Sequence, residues 1–477
     1  MSTQHPDNVR QPFFVESSVI AGDDEIKEAF YSFSHLKIRE QLWDCEGKET
    51  DNYVVEKLLT RYPDYFKRHK LGEDRFITLR GPNPGIEKNQ AKILLETLES
   101  IPRNSDIATQ FYGERCEPIF EVSIPMTRTA DDVLMVKEYY EKNVSGKGKA
   151  ILRGRKIEDW VGTFSPKKIK IIPLLEEKEA MLASDKIAGE YLAQTKEEQL
   201  RVWLARSDPA LNYGYLPAVL LNKVSLLKLD RLEESTSVPI HPIIGCGSVP
   251  FRGNFRPDNI DNCLSAYPSV QTFTLQSAFK FDYPEDKVRA AVEELESGYT
   301  QRPKDIDEEK AVEIIEKISA EYQKEITLIA PLVNQVAQHI PKRRKRKLHI
   351  GLFGYSRQAN SVTLPRAITF CASLYSLGIP PELLGMSALS EKDMEFVWND
   401  NFEADMKDSL RYLNQDNLRV LPQELQERIK KTASRFNYET DEKHKKVTSF
   451  ILDGLEKSKQ TLSEDIERAA ALRNFLG

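Results

Sequence analysis

Two carboxylates lie at the ends of neighbouring apolar runs, and their type and spacing are the first indication of a site. Glu176 lies near the end of IKIIPLLEE, and Asp208 near the end of LRVWLARSDP. Oxygen donors at rigid strand ends suit a hard divalent cation such as Mg²⁺ or Mn²⁺. Glu121 and Glu177 are nearby alternative donors. The pattern allows a metal site, with ordinary salt bridging as the competing interpretation of each carboxylate.

A second candidate feature is the glycine-containing loop GCGSVPFRGNFRPDN at residues 245–259, which carries Arg252 and Arg256. Backbone amides and guanidinium groups in such a loop can close on an anion, although a surface turn is the alternative. Three further polar residues follow apolar runs in a similar way: Arg80, Gln276 and Arg357. If the runs are parallel strands of a barrel, these side chains gather at one face, where barrel enzymes hold their catalytic groups.

The run KRRKRK at residues 342–347 places six cations in succession. Such a run can contact nucleic acid or an acidic partner. A solvated loop is the more common structure for it, and the net charge of −6 over the whole chain disfavours polyanion binding. We therefore expect a solvated loop here.

The elements that must position these residues are β/α units. Seven short runs rich in β-branched and aromatic residues alternate with helical patterns: RFITLRGPNP, IFEVSIPM, IKIIPLLEE, LRVWLARSDP, VPIHPIIGCGS, VQTFTLQSAFKF and LHIGLFGYSR. Seven candidate strands approach the eight of a (β/α)₈ barrel. We predict an α/β fold, a TIM-like (β/α)₈ barrel with extensive additional helices, whose core covers about residues 70–360.

Helical signals separate the strands and dominate the second half of the chain. Thr129 and Asp132 have capping-box spacing, and Pro284 opens an amphipathic pattern. Long charged amphipathic patterns predict four helices, over residues 307–326, 391–413, 422–436 and 463–476. The chain is therefore predicted to be a single unit over 1–477, with a helical C-terminal region over about 361–477.

Composition excludes several classes of protein. A chain of 477 residues with 40% hydrophobic residues can bury a large core and is not disordered as a whole. No apolar run reaches the roughly 18 residues of a membrane helix, and the N-terminus lacks a secretory pattern, so we expect a cytoplasmic protein without a membrane partner. Five scattered cysteines, none in CxxC spacing, indicate reduced thiols.

Five longer motifs, together with a similarity that runs along the whole chain, resemble archaeal-type phosphoenolpyruvate carboxylase: MSTQHPDN, QLWDCEGKETDNYV, RGPNPGIEKNQ, LARSDPALNYGYLPA and GCGSVPFRGNFRPDN. The resemblance implies carboxylation of phosphoenolpyruvate with bicarbonate to give oxaloacetate and phosphate, through carboxyphosphate and a metal-stabilised enolate of pyruvate. It also implies anaplerotic carbon dioxide fixation, Mg²⁺ or Mn²⁺ as cofactor, no nucleic-acid partner, and a homotetramer built as a dimer of dimers.

The resemblance also implies roles for individual residues. The TAHPTE motif of the larger bacterial and plant carboxylases resembles TQHPDN, which puts the catalytic histidine at His5. Their APLFETLDDL and GYSDSxKDAG resemble IPLLEEKEAML and ARSDPALNYGY, which makes Glu176 and Asp208 the implied metal ligands. Their loop HGRGGxxGRGG resembles GCGSVPFRGN, so that Arg252 matches the second loop arginine and Cys246 replaces the first.

Shorter matches complete the implied site. The family motifs LRAIPW, LDxRQ and TEQGE resemble parts of this sequence and contribute to an implied substrate-binding set of Arg80, Arg366, Arg357, Gln276 and Gly253. The arginine missing at Cys246 has three candidate substitutes: Arg256, Arg206 and Arg357. The ending ALRNFLG resembles the RNTG terminus of the long enzymes, which implies an inhibitory aspartate or malate site at Asn474.

Two other functions stay open on the sequence. One is a different enzyme of the phosphoenolpyruvate or pyruvate barrel type, such as a mutase or an enolate lyase, which would use the same carboxylates and arginines. The other is a non-catalytic protein that binds a metabolite, or nucleic acid through residues 342–347. Dependence on bicarbonate separates the first alternative, and a salt-dependent shift with DNA or RNA would favour the second.

Overall fold

The computed structural model describes residues 1–46, 51–298, 300–345, 357–359 and 362–477, and of residues 357–359 and 400 the backbone alone. Its centre is a seven-stranded sheet in which neighbours in sequence are neighbours in space and all pairs are parallel. The strands are β1 (Glu40–Asp44), β2 (Phe76–Arg80), β3 (Glu121–Ile124), β4 (Lys170–Leu175), β5 (Leu200–Ala205), β6 (Ile240–Gly245) and β7 (Thr272–Phe273).

Most of the predicted strands are confirmed. β2 to β7 coincide with six of the seven apolar runs, whereas LHIGLFGYSR lies outside the described residues except for Arg357. That residue begins a short strand, Arg357–Ala359, which pairs antiparallel with Val362–Leu364. The sheet starts with β1, ahead of the core expected over residues 70–360. The α/β class is confirmed, and of the eight predicted barrel strands the sheet supplies seven, curled as a half-barrel.

The strands are apolar because both faces of the sheet are covered, as is usual for parallel sheets. Helices pack against the outer face and form the main core with it. A second, separate cluster includes residues of β1, β4, β5 and β6: Met1, Leu42, Ile172, Leu174, Trp203, Ala205 and Ile243. The concave side of the sheet is therefore filled with side chains.

The first residues of the chain lie between the two edge strands. Ser2 forms parallel bridges both to β1 and to Leu275, which follows β7. The Ser2 amide donates to the Glu40 carbonyl at 2.7 Å, and the Leu42 amide donates to the Ser2 carbonyl at 2.8 Å. On the other side, the Thr3 amide donates to the Leu275 carbonyl at 3.0 Å. Both edges of the sheet are thus hydrogen-bonded to one segment.

A charged layer lies at the amino ends of the strands. Arg201 of β5 donates to Glu40 at 2.7 Å and to Glu121 at 2.6 Å. Although burial raises the pKa of Glu40, Arg201 outweighs it and keeps that pKa below its usual value. Glu121, one of the alternative metal donors, therefore belongs to an ion network at the opposite end of the strands from residues such as Arg80 and Glu176.

The α-helices of the described residues surround and extend the sheet. In chain order they are α1 (Asp23–Ser34), α2 (Val54–Arg61), α3 (Pro63–Phe66), α4 (Ala91–Tyr112), α5 (Ala130–Tyr139), α6 (Glu158–Val161), α7 (Lys178–Leu182), α8 (Ser184–Thr195), α9 (Ser207–Tyr213), α10 (Tyr215–Thr236), α11 (Ile260–Ala266), α12 (Ser277–Phe281), α13 (Glu285–Ser297), α14 (Glu308–Ala337), α15 (Ala367–Ser376), α16 (Glu391–Val397), α17 (Asp400–Leu410), α18 (Gln423–Ala433), α19 (Glu442–Glu456) and α20 (Ser463–Arg473). The starts predicted from Thr129 and Pro284 are confirmed, since α5 and α13 begin at the following residues.

One of the four helix predictions for the second half of the chain is wrong, because the segment is not one continuous helix. The segment 391–413 forms two helices, α16 and α17, instead of one. The side chain of Asn399 accepts a hydrogen bond from the Phe402 amide, and such an N-cap starts a new helix. The other three, α14, α18 and α20, are confirmed and differ only at their ends.

Two other expectations concern the cysteines and membrane spans. All five cysteines are free, as predicted, and all five are buried. Within the described residues, no single helix has the length and apolarity of a membrane crossing, and the one helix pair with enough apolar residues, Ala367–Ser376 with Pro381–Ala388, is bent by 99°.

Candidate active site

A cavity of about 640 Å³ lies at the carboxyl ends of the strands. It collects eight residues that the sequence singled out: His5, Arg80, Glu176, Arg206, Asp208, Arg252, Gln276 and Arg366. They come together because parallel strands direct the loops at their carboxyl ends to the same face. The cavity is therefore the candidate active site.

The carboxylate pair lies on neighbouring strands. β4 and β5 are paired through Leu175 and Leu204, Glu176 follows the first strand, and Asp208 lies in the first turn of the helix after the second. Both side chains line the cavity. Within the described ranges, no group of three or more His, Cys, Asp and Glu side chains could hold a metal by itself. The pair fits Mg²⁺ or Mn²⁺, because Mg²⁺ in proteins commonly takes one or two carboxylates and completes its shell with water and substrate oxygens.

A strained loop orients Glu176. The Met126 amide donates to Glu176 Oε2 at 2.6 Å. Met126 adopts a left-handed φ of 49°, which is uncommon for a residue with a side chain. Asn83 fixes this turn by donating through Nδ2 to the carbonyls of Pro125 at 3.0 Å and Met126 at 3.2 Å. Strain of this kind persists where surrounding contacts enforce it. Neither residue shows a sequence signal for this role.

Arg80 is held as a fixed cation. The register of β1 and β2 places it beside Asp44, to which it donates two hydrogen bonds of 2.9 and 2.7 Å. Glu46 lies 3.2 Å from the same guanidinium and 3.6 Å from Arg366. Burial lowers the pKa of Arg80, but Asp44 and Glu46 outweigh it and hold the pKa above its ordinary value. The two carboxylates belong to the motif QLWDCEGKETDNYV, and sequence reasoning assigned them no role.

Arg252 joins four separate parts of the chain. Its Nε donates to Ser207 Oγ at 3.0 Å, and its Nη1 donates to the Gly477 carbonyl at 2.7 Å. Nη1 also lies 3.4 Å from Asp7, and Nη2 donates to Gln276 Oε1. Burial raises the pKa of Asp7, which Arg252 partly offsets. With 1% of its surface exposed, Arg252 is fixed in orientation at the wall of the cavity.

Gly253 shapes the loop but lies outside the cavity lining. Its φ is +127°, in a region that favours glycine, and an added Cβ would lie 2.9 Å from the Sγ of Cys246. The turn therefore requires glycine, and Cys246 is buried against it. The structure gives Gly253 a conformational role beside Arg252, and contact with substrate stays a prediction.

The three candidate substitutes for the missing loop arginine differ in position. Arg206 lines the cavity, stacks over the Tyr215 ring at 5.2 Å and donates to the Phe251 carbonyl at 3.1 Å. Arg256 lies outside the lining and pairs with Asp408 at 2.8 Å. The Arg357 side chain lies outside the described part of the structure. Of the two described candidates, Arg206 is the one at the cavity.

The candidate site residues nearest the two ends of the chain, His5 and Asn474, differ in their position relative to the cavity. His5 lines the cavity and is half-buried, and its Nδ1 is 2.9 Å from the hydroxyl of Thr3, which orients the ring. Asn474 has a left-handed φ of 56° at the end of α20 and is not part of the lining, although Leu476 is. An effector site at Asn474 stays a prediction.

Sequence reasoning missed one wall of the cavity. Residues 342–345 line it, and Arg343 and Arg344 are buried. The expectation of a solvated loop is therefore wrong for Arg343 and Arg344, whereas Lys342 and Lys345 are exposed and residues 346–347 lie outside the described residues. A run of cations gives no local signal of burial, because its carboxylate partners lie in other parts of the chain.

Comparison with known proteins agrees with these features. A family model described as phosphoenolpyruvate carboxylase matches residues 1–477. A phosphoenolpyruvate carboxylase of Methanospirillum hungatei is 49% identical over 487 residues, which covers 100% of this chain and 99% of that protein. Those of Methanothermobacter thermautotrophicus and Pyrococcus abyssi are 48% and 47% identical, with the same coverage. The chain therefore belongs to the phosphoenolpyruvate carboxylase family.

Proposed function

We propose that this chain adds bicarbonate to phosphoenolpyruvate to give oxaloacetate and inorganic phosphate, in the following steps. The observation that carries the proposal is the meeting of His5, fixed arginines and a carboxylate pair in one cavity. A cavity of about 640 Å³ is in the usual range for small-molecule sites and has room for both substrates.

The first step joins two anions. A bicarbonate oxygen attacks phosphorus, the bond from phosphorus to the enol oxygen breaks, and the products are carboxyphosphate and the enolate of pyruvate. Charge spreads over the equatorial phosphoryl oxygens in the transition state, so guanidinium groups already in place are the main catalytic device. Arg252, Arg206 and Arg80 are fixed by their partners, and Arg366 lines the same cavity.

Glu176 and Asp208 are the residues that would hold a divalent cation, Mg²⁺ or Mn²⁺. When bound there, such a cation would supply Lewis-acid chemistry for an enolate. In this arrangement the Met126 amide restricts Glu176 to one orientation, so that the carboxylate is in place before substrate arrives.

The second step requires a base. His5 accepts the proton of the carboxyphosphate carboxyl group, the carbon–oxygen bond to phosphate then breaks, and the enolate carbon attacks the released CO₂. An imidazole can accept a proton at neutral pH. Thr3 holds the His5 ring through Nδ1. The buried arginines that line the cavity, among them Arg206, Arg252 and Arg343, help to keep out the water that would protonate the enolate to pyruvate.

Four broader proposals accompany this chemistry. Residues 1–3 serve as the eighth strand of a (β/α)₈ barrel, which their hydrogen bonds to both sheet edges support. The enzyme assembles as a homotetramer and replenishes oxaloacetate for the cell. Aspartate or malate inhibits it near Asn474, and a flat response to added L-aspartate would remove that proposal.

The activity is tested by coupling the protein to malate dehydrogenase and following NADH loss with phosphoenolpyruvate, bicarbonate and Mg²⁺, omitting each in turn. We expect activity only when all three are present. Turnover independent of bicarbonate would indicate a different enolate-forming enzyme. His5→Asn should keep some phosphoenolpyruvate cleavage while losing oxaloacetate, since transfer precedes the step that needs the base. Equal loss of both partial reactions would contradict that order.

A further inference from the structure

The basic segment 342–345 has a defined place in the fold. Arg343 is 5% and Arg344 is 4% exposed. A buried cation is costly unless carboxylates and hydrogen-bond acceptors compensate it. The partners of these two arginines therefore indicate what the segment does.

Arg343 forms hydrogen bonds with the backbone of the chain just after His5. Its Nε donates to the Asn8 carbonyl and its Nη2 donates to the Val9 carbonyl, both at 3.1 Å. The same Nη2 donates to Glu467 of α20 at 2.7 Å. One guanidinium thus ties two successive backbone carbonyls of the N-terminal segment to the C-terminal helix.

Asp282 binds the backbone amides of the same stretch. The Val9 amide donates to Asp282 Oδ2 at 2.8 Å, and the Arg10 amide donates to Oδ1 at 2.7 Å. The segment after His5 is therefore clamped through both its carbonyls and its amides.

Arg344 reaches the residues just before His5 through a buried relay. It donates to both oxygens of Glu28, at 2.6 and 2.5 Å. Glu28 also accepts from Lys280 at 2.8 Å, and Lys280 donates to Ser2 Oγ at 3.0 Å and to the Thr3 carbonyl at 2.9 Å. Burial raises the pKa of Glu28, but Arg344 and Lys280 outweigh it and keep the pKa low, so the carboxylate stays charged.

From these contacts we infer that Arg343 and Arg344 are positioning residues, which fix the segment on both sides of His5 and thereby hold its imidazole in the cavity. The inference rests on the proposed role of His5. It assigns a function in the reaction to a basic run whose composition alone is typical of a solvated loop or a polyanion contact. The charged hydrogen bonds of Arg343 and Arg344 fix the position of the N-terminal segment, because they are directional and each must reach its own partner.

A double-mutant cycle separates positioning from simple destabilisation. Arg343→Gln removes a donor fork from two carbonyls, so we expect oxaloacetate formation to fall about 10- to 100-fold, the size of effect that a misplaced group produces. Phosphoenolpyruvate cleavage should fall less. In a His5→Asn background, the residual oxaloacetate formation no longer depends on the imidazole. There the same change should lower that residual rate by less than about twofold, because residues that act as a unit are not additive. Full additivity would overturn the inference.

Arg201→Gln is the matched control. Arg201 is also enclosed by carboxylates, Glu40 and Glu121, but it lies at the opposite end of the strands. The Arg201→Gln variant should have a lower melting temperature than the wild type. Its ratio of phosphate released to oxaloacetate formed should be unchanged. An equal change of that ratio in Arg201→Gln would count against a specific role of Arg343. Arg343→Lys, which keeps the charge but not the fork, serves if the glutamine variant fails to fold.

A readout besides activity keeps the inference separate from the proposed function. If the wild-type protein forms no oxaloacetate, the proposed function fails by itself. Hydrogen exchange at the Val9 and Arg10 amides then decides the positioning claim. Arg343→Gln should speed it by about tenfold or more relative to Arg201→Gln, as expected when a local clamp is released. Equal exchange rates in both variants would refute the claim that Arg343 fixes the segment next to His5.

Discussion

At the scale of single residues, the proposed reaction gives Arg252 a central role. Its guanidinium contacts Ser207, Gln276, Asp7 and Gly477, so its direction is fixed before any substrate binds. A group fixed in advance needs no reorganisation as charge develops on the transferring phosphoryl oxygens, and this makes it effective.

Arg252→Gln should therefore lower kcat/KM about a hundredfold, or about 3 kcal/mol of transition-state stabilisation. Steady-state assays with phosphoenolpyruvate and bicarbonate varied in turn measure this. Arg302→Gln is the control, because Arg302 is 70% exposed and pairs with Asp230 and Glu234 at the surface. An unchanged kcat/KM in the Arg252 variant would place that arginine outside the reaction.

Glu382 is a buried acid that makes stability depend on pH. Burial raises its pKa from 4.5 to about 7, and its Oε1 accepts a hydrogen bond from the Tyr375 hydroxyl at 2.8 Å. Because the folded pKa is the higher one, the group stabilises the fold at low pH, and that contribution is lost as pH rises from about 4.5 through about 7.

Glu382→Gln should remove the pH-dependent loss of stability that ionisation of Glu382 causes. The change in the pKa of Glu382 between the unfolded and folded states corresponds to about 3 kcal/mol in the free energy of unfolding. Urea unfolding of both proteins at several pH values between 5 and 8 gives the comparison. The free energy of unfolding of the wild type should fall with rising pH relative to the variant. Parallel profiles would show that Glu382 ionises normally in the folded protein.

Sequence reasoning selected candidate residues by what their own side chains can do. Glu176, Asp208 and Arg252 could be selected because carboxylates at strand ends suit a cation, a guanidinium in a glycine-containing loop suits an anion, and all three match family motifs. Met126 could not, since its contribution is a backbone amide in a left-handed conformation. Arg343 could not either, because its partners lie about 335 and 124 residues away in the chain.

At the scale of elements, the glycine loop is fastened to the C-terminal helices. Asn254 donates to Asp405 of α17 at 2.8 Å and to Asp408 at 2.9 Å, and Arg256 donates to Asp408 at 2.8 Å. Burial raises the pKa of Asp405 to about 6. The helical region thus positions the loop that carries Arg252.

Gly253→Ala tests how strictly this loop is shaped. A Cβ at φ +127°, 2.9 Å from Cys246 Sγ, must displace the turn. We expect a loss of about 1–3 kcal/mol in stability, and a lower kcat because Arg252 is the adjacent residue. Thermal melting and steady-state assays check both effects. Gly298→Ala is the matched control, with φ −68° and its nearest neighbours at 3.7 Å. Similar behaviour of the two variants would mean that the loop tolerates a side chain.

The elements that sequence patterns revealed are those with strong periodicity. β2 to β7 and α14 are examples. β1 was missed because EQLWD mixes apolar residues with Glu40, Gln41 and Asp44, whose burial depends on partners in other strands. The break between α16 and α17 was missed because one hydrogen bond from Phe402 to Asn399 decides it.

At the scale of the whole molecule, both ends of the chain meet at the cavity. The Leu476 amide donates to the Asp7 carbonyl at 2.7 Å, and the Gly477 carbonyl accepts from Arg252. No local pattern predicts such a meeting, because it depends on how the sheet and the helical region pack. The resemblance of TQHPDN to a known motif is what gave His5 a role.

The curled sheet has two edges, and residues 1–3 are hydrogen-bonded to both. Ser2→Pro removes the donor to the Glu40 carbonyl, since proline has no backbone N–H. If this segment closes the sheet, the variant should melt at a lower temperature, and the amides of Leu42 and Leu275, which donate to Ser2 and Met1, should exchange faster.

Ser18→Pro, at an exposed position of the same N-terminal region, is the control. Faster exchange on both edges in Ser2→Pro alone would mean that the segment acts as a strand and that His5, three residues further on, is delivered to the cavity by the sheet itself. Faster exchange at Leu42 alone would mean that the segment belongs to β1 and leaves the other edge independent. His5 would then owe its position to Arg343 and Arg344 and not to closure of the sheet.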